Sequence, residues 1–260
     1  MIDIDTTDIH LELVDHVLTI TLDRPAKLNS VTQQMSDALV TVTEYADASN
    51  DVRAIVLTGA GGRAFCAGSD IRGLDAYESP WDFRNRPDYC DAIRHCRTPI
   101  VAAVNGYALG GGLETALSCD IIIASSAASF AAPEVKLGWI GGGGMTTLLT
   151  RAVGPSNTAL MTMTGDPIDA ERALSWGLVS EVTSPAELLA RAHGLARVIA
   201  SRPPIAVETA KANLTASANM TQEQAIVYER DLQTVCFATD DAHEGRRAFA
   251  EKRDGIFSRR

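Results

Sequence analysis

The chain has 260 residues, 46% of them apolar and 22% charged, with a formal net charge of −10. Such proportions suit a folded protein with one large core, or a core plus a helical appendage, and exclude an intrinsically disordered chain. The acid excess and the presence of only four lysines count against a nucleic-acid surface, which needs a basic face to offset phosphate. In chain order, residues 9–15 and 17–23 alternate apolar and polar, which predicts a hairpin of half-buried strands around Asp15-His16. Arg24 to Asn29 reads as a loop. Ser30, with Gln33 three positions on, predicts a capped helix to about Ala48. Residues 54–58, 100–104 and 120–125 are continuous apolar runs, expected as strands buried on both faces. Glycine-rich loops follow the first two, and short helices are predicted over 71–77, 88–96 and 113–117.

A second glycine run, 141–144, precedes a helix predicted to end at Ala152; another helix over 168–177 leads to a strand over 178–182. Ser184-Pro185-Ala186-Glu187 combines a cap, an N1 proline and a capping-box acid, so a helix is expected to start there. Beyond it the sequence predicts helices alone, one opening at Thr221 and one over 241–253. The expected class is therefore α/β, divided into a core over 1–196 and a helical oligomerisation region over 197–260. Helices without a sheet of their own must bury their apolar faces on the core or on a neighbouring subunit. No sequence repeat is visible. The last twenty residues carry six basic side chains against four acidic ones, a local charge able to meet a small anion.

No membrane span is expected, because the most apolar region, 99–133, is broken by Asn105, a glycine cluster, Glu114 and Asp120. Five cysteines lacking a C-x-x-C pair suit a reducing compartment, and the acidic N-terminal run has no apolar segment of a signal peptide. A cytoplasmic location is the expectation. No P-loop, nucleophile elbow or H-x-x-x-H spacing occurs, and no metal or cofactor is expected. The turn Gly106-x-x-x-Gly110-x-Gly112 after a buried strand has the layout of a dinucleotide-binding turn. However, it lies mid-chain, and no tyrosine is followed at the fourth position by lysine, as a short-chain dehydrogenase requires. A helix N-terminus offers unpaired N–H groups, and glycines let backbone approach a ligand. The 110–112 turn and the loop Phe65-Cys66-Ala67-Gly68-Ser69-Asp70 could thus supply two donors to an oxyanion. Glu114 and Glu134 stand in nearly charge-free sequence, where an acid is either a surface point or a buried group of shifted pKa.

The ordered stretches RPAKLNS (24–30), AFCAGSDI (64–71), PIVAAVNGYALGGGLE (99–114), CDIIIAS (119–125) and FAAPEVKLG (130–138) resemble the crotonase, or enoyl-CoA hydratase/isomerase, family. So do LTRAVG (149–154), GLVSEV (177–182) and FATDDAHEGRRAFAEKR (237–253). The resemblance implies repeated β-β-α units forming two near-perpendicular sheets, with a C-terminal helical region that assembles trimers or hexamers. It implies an acyl-CoA thioester substrate gripped by the backbone N–H groups of Ser69 and Gly111. The catalytic pair would be Glu114 and Glu134, twenty positions apart as in the hydratases. CoA contacts map onto Ala26, Lys27, Leu28, Asp70, Ile71 and Arg72, with Phe249 and Lys252 supplied by a neighbouring subunit. Trp139 and Gly142 fall at the acyl pocket. One departure is local: the family's x-x-Pro-Gly-x-Gly-Gly-x-x-Arg-Leu has Gly141 for proline, Met145 for the second paired glycine and Leu148 for arginine. The resemblance implies syn hydration of a 2-trans-enoyl-CoA. A Δ3-Δ2 enoyl-CoA isomerase, another crotonase activity, or a weakly catalytic RNA-binding scaffold remain as alternatives.

Overall fold

The computed structural model describes residue 2, residues 4–74 and residues 77–260. The hairpin forms as expected, with β1 (Ile9–Val14) antiparallel to β2 (Val17–Leu22). Its turn residues Asp15 and His16 both take positive φ, the geometry that matches a tight hairpin to the strand twist. The strands β3 (Ala54–Gly59), β5 (Ile100–Val104) and β7 (Ile121–Ser125) add in parallel beside β2, and β10 (Glu181–Thr183) closes the six-stranded sheet. Every residue of β3 and β5 is buried, and alternation along them splits the core into two layers. Ile55, Leu57, Ala102 and Val104 face the main core, whereas Val56, Val101 and Ala103 meet Leu188, Ala192 and Ala196. That explains why these strands read as unbroken apolar runs.

The second sheet holds four short strands: β4 (Ala64–Cys66), β6 (Tyr107–Leu109), β8 (Ser129–Ala131) and β9 (Ile168–Asp169). Each of β3, β5 and β7 thus turns a corner into a short strand of the other sheet. The corners are tight. A β-carbon on Gly59 would lie 2.5 Å from the Ala64 carbonyl oxygen, and Asn29 Nδ2 donates to that oxygen at 2.7 Å. Asn105 Nδ2 donates to the Gly59 carbonyl at 2.9 Å. After the short strands come α2 (Ile71–Leu74), α5 (Gly111–Leu117) and a 3-10 turn (Pro133–Leu137). No sequence repeat marks it, but the β-β-α repetition that the family resemblance implies is present in the topology. Residues 75 and 76 of the helix predicted over 71–77 lie outside the described residues.

The remaining helices are α1 (Gln33–Ala48), α3 (Pro80–Arg84), α4 (Tyr89–His95), α6 (Met145–Thr164), α7 (Ala170–Ser175), α8 (Leu188–Ala200), α9 (Pro204–Ser217), α10 (Gln222–Phe237) and α11 (Asp240–Glu251). Several helix starts differ from expectation. α5 begins at Gly111 rather than at 113. Residues 168–169, expected as the start of a helix over 168–177, instead pair with β8 as β9, so that α7 begins at Ala170. The α1 cap is Thr32, accepting from Met35 N at 3.2 Å, rather than Ser30, because Val31 first pairs as extended backbone with Ser69. At 184–187 the Ser184 hydroxyl donates to the Glu187 carboxylate at 2.6 Å and closes a turn, so α8 starts only at Leu188. The helix predicted to stop at Ala152 continues past a break at Gly154 (φ 77°), and the strand predicted over 178–182 sits at Glu181–Thr183. Thr221 forms the capping box of α10.

α8 lies on the large sheet with Ala200 still buried. Beyond it, α9 buries only Pro204 and α10 buries no residue. Polar anchors tie this region to the core: Lys211 pairs with Asp120 at 2.7 Å, and Arg259 Nη1 donates to Ser49 O at 3.0 Å. Buried Asp241 accepts from Ser258 N at 2.7 Å and Arg259 N at 2.9 Å. Among the described residues, no helix is long and apolar enough to cross a membrane.

Candidate active site

Two glycine turns bring the expected oxyanion donors together. Gly68 has φ +92°, and a β-carbon there would lie 2.8 Å from Gly111 N. Only a glycine lets the 66–70 loop approach the α5 N-terminus this closely. Gly112 packs the first turn of α5 on β4, with its α-carbon against the Cys66 carbonyl. Ser69 N and Gly111 N meet no acceptor among the described residues. For Gly111 this follows from its place as the first helical residue, whose N–H has no intrahelical partner. The loop is braced independently, Val31 N donating to Gly68 O at 2.9 Å and Asp70 N to Val31 O at 2.8 Å.

Both glutamates are buried. Glu114, in the first turn of α5, accepts on Oε1 from Gly143 N at 2.7 Å and Met145 N at 3.1 Å. Burial, helped by the negative charges of Glu134 and Asp88, outweighs those bonds and lifts its carboxyl from 4.5 to about 6. Glu134 is the second residue of the 3-10 turn. Its Oε2 is buried without a hydrogen-bond partner among the described residues, and burial raises its pKa as well. Its Oε1 lies against Gly110, where a β-carbon would come within 2.9 Å, and Gly110 takes φ 56°. The turn thus serves both the donors and the carboxylates. Two buried acids, the charge of Glu134 helping to raise the pKa of Glu114, beside unpaired N–H groups, can exchange protons with a substrate whose developing negative charge those donors hold.

The departure at 141–148 has a steric logic. A β-carbon on Gly141 would come within 2.6 Å of Met145 Cβ and 2.7 Å of Glu114 Oε1, so with Met145 present position 141 has no room for a side chain. Glu114 is held by backbone N–H groups, which survive the change. Arg94 Nη1 donates to Gly143 O at 3.1 Å and steadies that loop.

The predicted CoA segments also converge. The 3-10 turn Pro25–Lys27 exposes Ala26 and Lys27, and Leu28 O accepts from Ala67 N at 3.0 Å. Asp70 pairs with Arg24 at 3.3 Å, so its carboxylate braces the loop. Ile71 and Arg72 are exposed on α2. A cleft of about 250 Å³ beside them is lined by Ser69, Asp70, Arg72, Arg86, Asp88 and Tyr89, among others. Neither glutamate lines it, and neither do Phe249 and Lys252, which are exposed on and just after α11. Trp139 is exposed, its backbone N–H donating to Glu134 O at 3.2 Å, and Gly142 is exposed near Arg86. Sequence reasoning missed Tyr89, Arg94 and the Gly143 and Met145 N–H groups. Asp88 signals the start of α4, but nothing local says which way Tyr89 faces.

Residues 12–260 match the family model described as Enoyl-CoA hydratase/isomerase. The chain is 38% identical over 259 residues to an (E)-benzylidenesuccinyl-CoA hydratase of Thauera aromatica, covering 95% of this chain and 97% of that one. It is 39% identical over 247 residues to a probable enoyl-CoA hydratase of Mycobacterium leprae, covering 93% and 94%. The crystal structure of an enoyl-CoA hydratase from Bacillus anthracis superposes with a TM-score of 0.92 at 31% identity, covering 98% of this chain and 100% of that one.

Proposed function

The chain belongs to the enoyl-CoA hydratase/isomerase (crotonase) family of enzymes, and on that premise we propose that it catalyses reversible syn addition of water to a 2-trans-enoyl-CoA thioester. The observation that carries the reading is the placement of two buried, pKa-raised carboxyls, Glu114 and Glu134, around the turn that also presents the Gly111 N–H. The thioester oxygen accepts from Ser69 N and Gly111 N. Glu114, the better hydrogen-bonded anion, takes a proton from water as its hydroxyl adds to the β-carbon. The π electrons pass to the thioester oxygen as an enolate, which the two N–H groups stabilise. Collapse of the enolate takes a proton at the α-carbon from Glu134, whose unpartnered buried oxygen favours the protonated form. The pair then resets by moving one proton from Glu114 to Glu134, and titrates as a unit. Hydration changes no oxidation state overall, so the reaction calls for no redox cofactor.

The CoA moiety is assigned to the exposed turn Ala26-Lys27-Leu28 and the segment from Asp70 to Arg72, with Phe249 and Lys252 reaching it from a second copy in a trimer or hexamer. Trp139 and Gly142 border the acyl group. Residues 197–260 serve assembly, and the five free thiols are in keeping with a cytoplasmic setting. A panel of enoyl-CoA thioesters followed by loss of conjugated-enone absorbance tests the reading. Hydration of at least one 2-trans-enoyl-CoA is expected. Double-bond migration of 3-enoyl-CoAs with no hydration would replace it by an isomerase. Calorimetry should find an enoyl-CoA bound and its free acid not, and equal affinities would contradict the thioester assignment.

A further inference from the structure

Tyr89 is the first residue of α4, whose N-cap Asp88 accepts from Cys90 N at 2.9 Å. Its ring is buried, yet its hydroxyl reaches the oxyanion turns. Tyr89 Oη is 3.3 Å from Ser69 Oγ, and a β-carbon on Gly111 would lie 2.7 Å from that hydroxyl and 3.4 Å from Ser69 N. The phenol and both backbone donors therefore border the same small space, and Tyr89 and Ser69 share a wall of the cleft. We propose that the Tyr89 hydroxyl is a third hydrogen-bond donor to the thioester oxygen, beside the N–H groups of Ser69 and Gly111. The proposal rests on the acyl-CoA reading of the site.

Two observations favour a substrate-facing role over mere bracing of the 66–70 loop. That loop is already clamped by its two backbone bonds to Val31, so the long contact to Ser69 Oγ is not needed to hold it. Burial beside Cys90 and Cys66 pushes the phenol well above its ordinary pKa, so Tyr89 keeps its proton and acts as a donor rather than a base. Ser69 Oγ–H can donate to Tyr89 Oη while the Tyr89 proton turns to the substrate. No proton changes owner in this arrangement.

The test is Tyr89→Phe, which preserves the ring, read with a cinnamoyl-CoA bearing a para-dialkylamino group. The absorbance of that chromophore moves to the red as its carbonyl oxygen is polarised. The wild type is expected to bind it with a red shift. Tyr89→Phe should bind within a few-fold of wild type, show a smaller red shift, and lose about 10²–10³-fold in kcat, the range for one oxyanion donor. Its kcat/KM pH profile should keep the wild-type shape. An unchanged red shift with unchanged kcat would overturn the proposal. Should Tyr89→Phe fail to fold, 3-fluorotyrosine in place of Tyr89 gives a stronger donor on the same ring. A larger red shift is then expected, and an unaltered one overturns the assignment. Failure of the wild type to bind any acyl-CoA would instead remove the thioester reading itself, and this proposal with it.

Discussion

Glu114 is held by two backbone N–H groups and still titrates high, because removing a carboxylate from water costs more here than those bonds return. Two predictions follow from its pKa. As the proposed base it must be ionised, so kcat/KM for hydration should fall as pH drops through about 6, read from a pH–rate profile. The same group also sets a stability trend. Its folded pKa, about 6, lies above the ordinary 4.5, so the folded state binds the proton more tightly than the unfolded one and stability declines as pH rises between the two values. Above that window the buried charge carries a penalty of about 2 kcal/mol. Glu114→Gln should therefore raise stability at pH 8 by up to that amount, the gain vanishing near pH 4.5, as measured by denaturant midpoints. Its cost is catalytic. Glu114→Gln and Glu134→Gln should each lower kcat by about 10²–10⁴-fold. On the proposed mechanism, in which both carboxyls act on one substrate as a unit, the double change should cost much less than the product. Acyl-CoA binding should persist through the untouched Ser69 and Gly111 N–H groups. Wild-type turnover by Glu134→Gln on every enoyl-CoA tried would end the two-glutamate mechanism.

The critical element is α5, whose N-terminus supplies a donor, a carboxylate and the contact to β4 within a single turn. Gly112→Ala would drive a methyl group into the Cys66 backbone carbonyl, which as part of a strand cannot move aside cheaply. The expected loss is about 3 kcal/mol, seen as a lower denaturant midpoint with unchanged slope. An alanine there with wild-type midpoint and activity would refute the packing account. The 110–112 run was legible in the sequence as a helix-opening turn. That its glycines each meet a different neighbour, Glu134, Tyr89 and Cys66, was not, because those neighbours come from three distant segments.

At the scale of the molecule, α9 and α10 expose several large apolar side chains. Leu214 is 67%, Val227 55%, Val235 61% and Phe237 62% exposed, on helices that bury almost nothing of their own, which suits a face covered by another subunit. Sedimentation equilibrium should find a trimer or hexamer at micromolar concentration. Val227→Glu together with Val235→Glu, both on α10 and neither touching the core, should dissociate it while leaving the far-UV spectrum intact. A stable, fully active monomer of the unaltered protein would refute the assembly.

The sequence by itself determined the strands that are buried on both faces, because a run such as IVAAV, five residues bounded by Pro99 and Asn105-Gly106, is too short for a buried helix and needs cover on both faces as a strand. Through its family resemblance it also pointed to Glu114 and Glu134, which the structure buries, and to Ser69 and Gly111, whose N–H groups meet no acceptor among the described residues. Helix starts were less legible at Ser30 and Ser184. There a capping pattern exists, but extended pairing to Ser69 in one case and a closed turn in the other decides where the helix begins. Only the tertiary structure decided how deeply Glu114 is buried, that Gly143 and Met145 hold it, that Gly141 makes room for Met145, and that Tyr89 faces the oxyanion turns. Each of these depends on contacts between segments far apart in the chain, where local periodicity and capping rules carry no information about direction or depth.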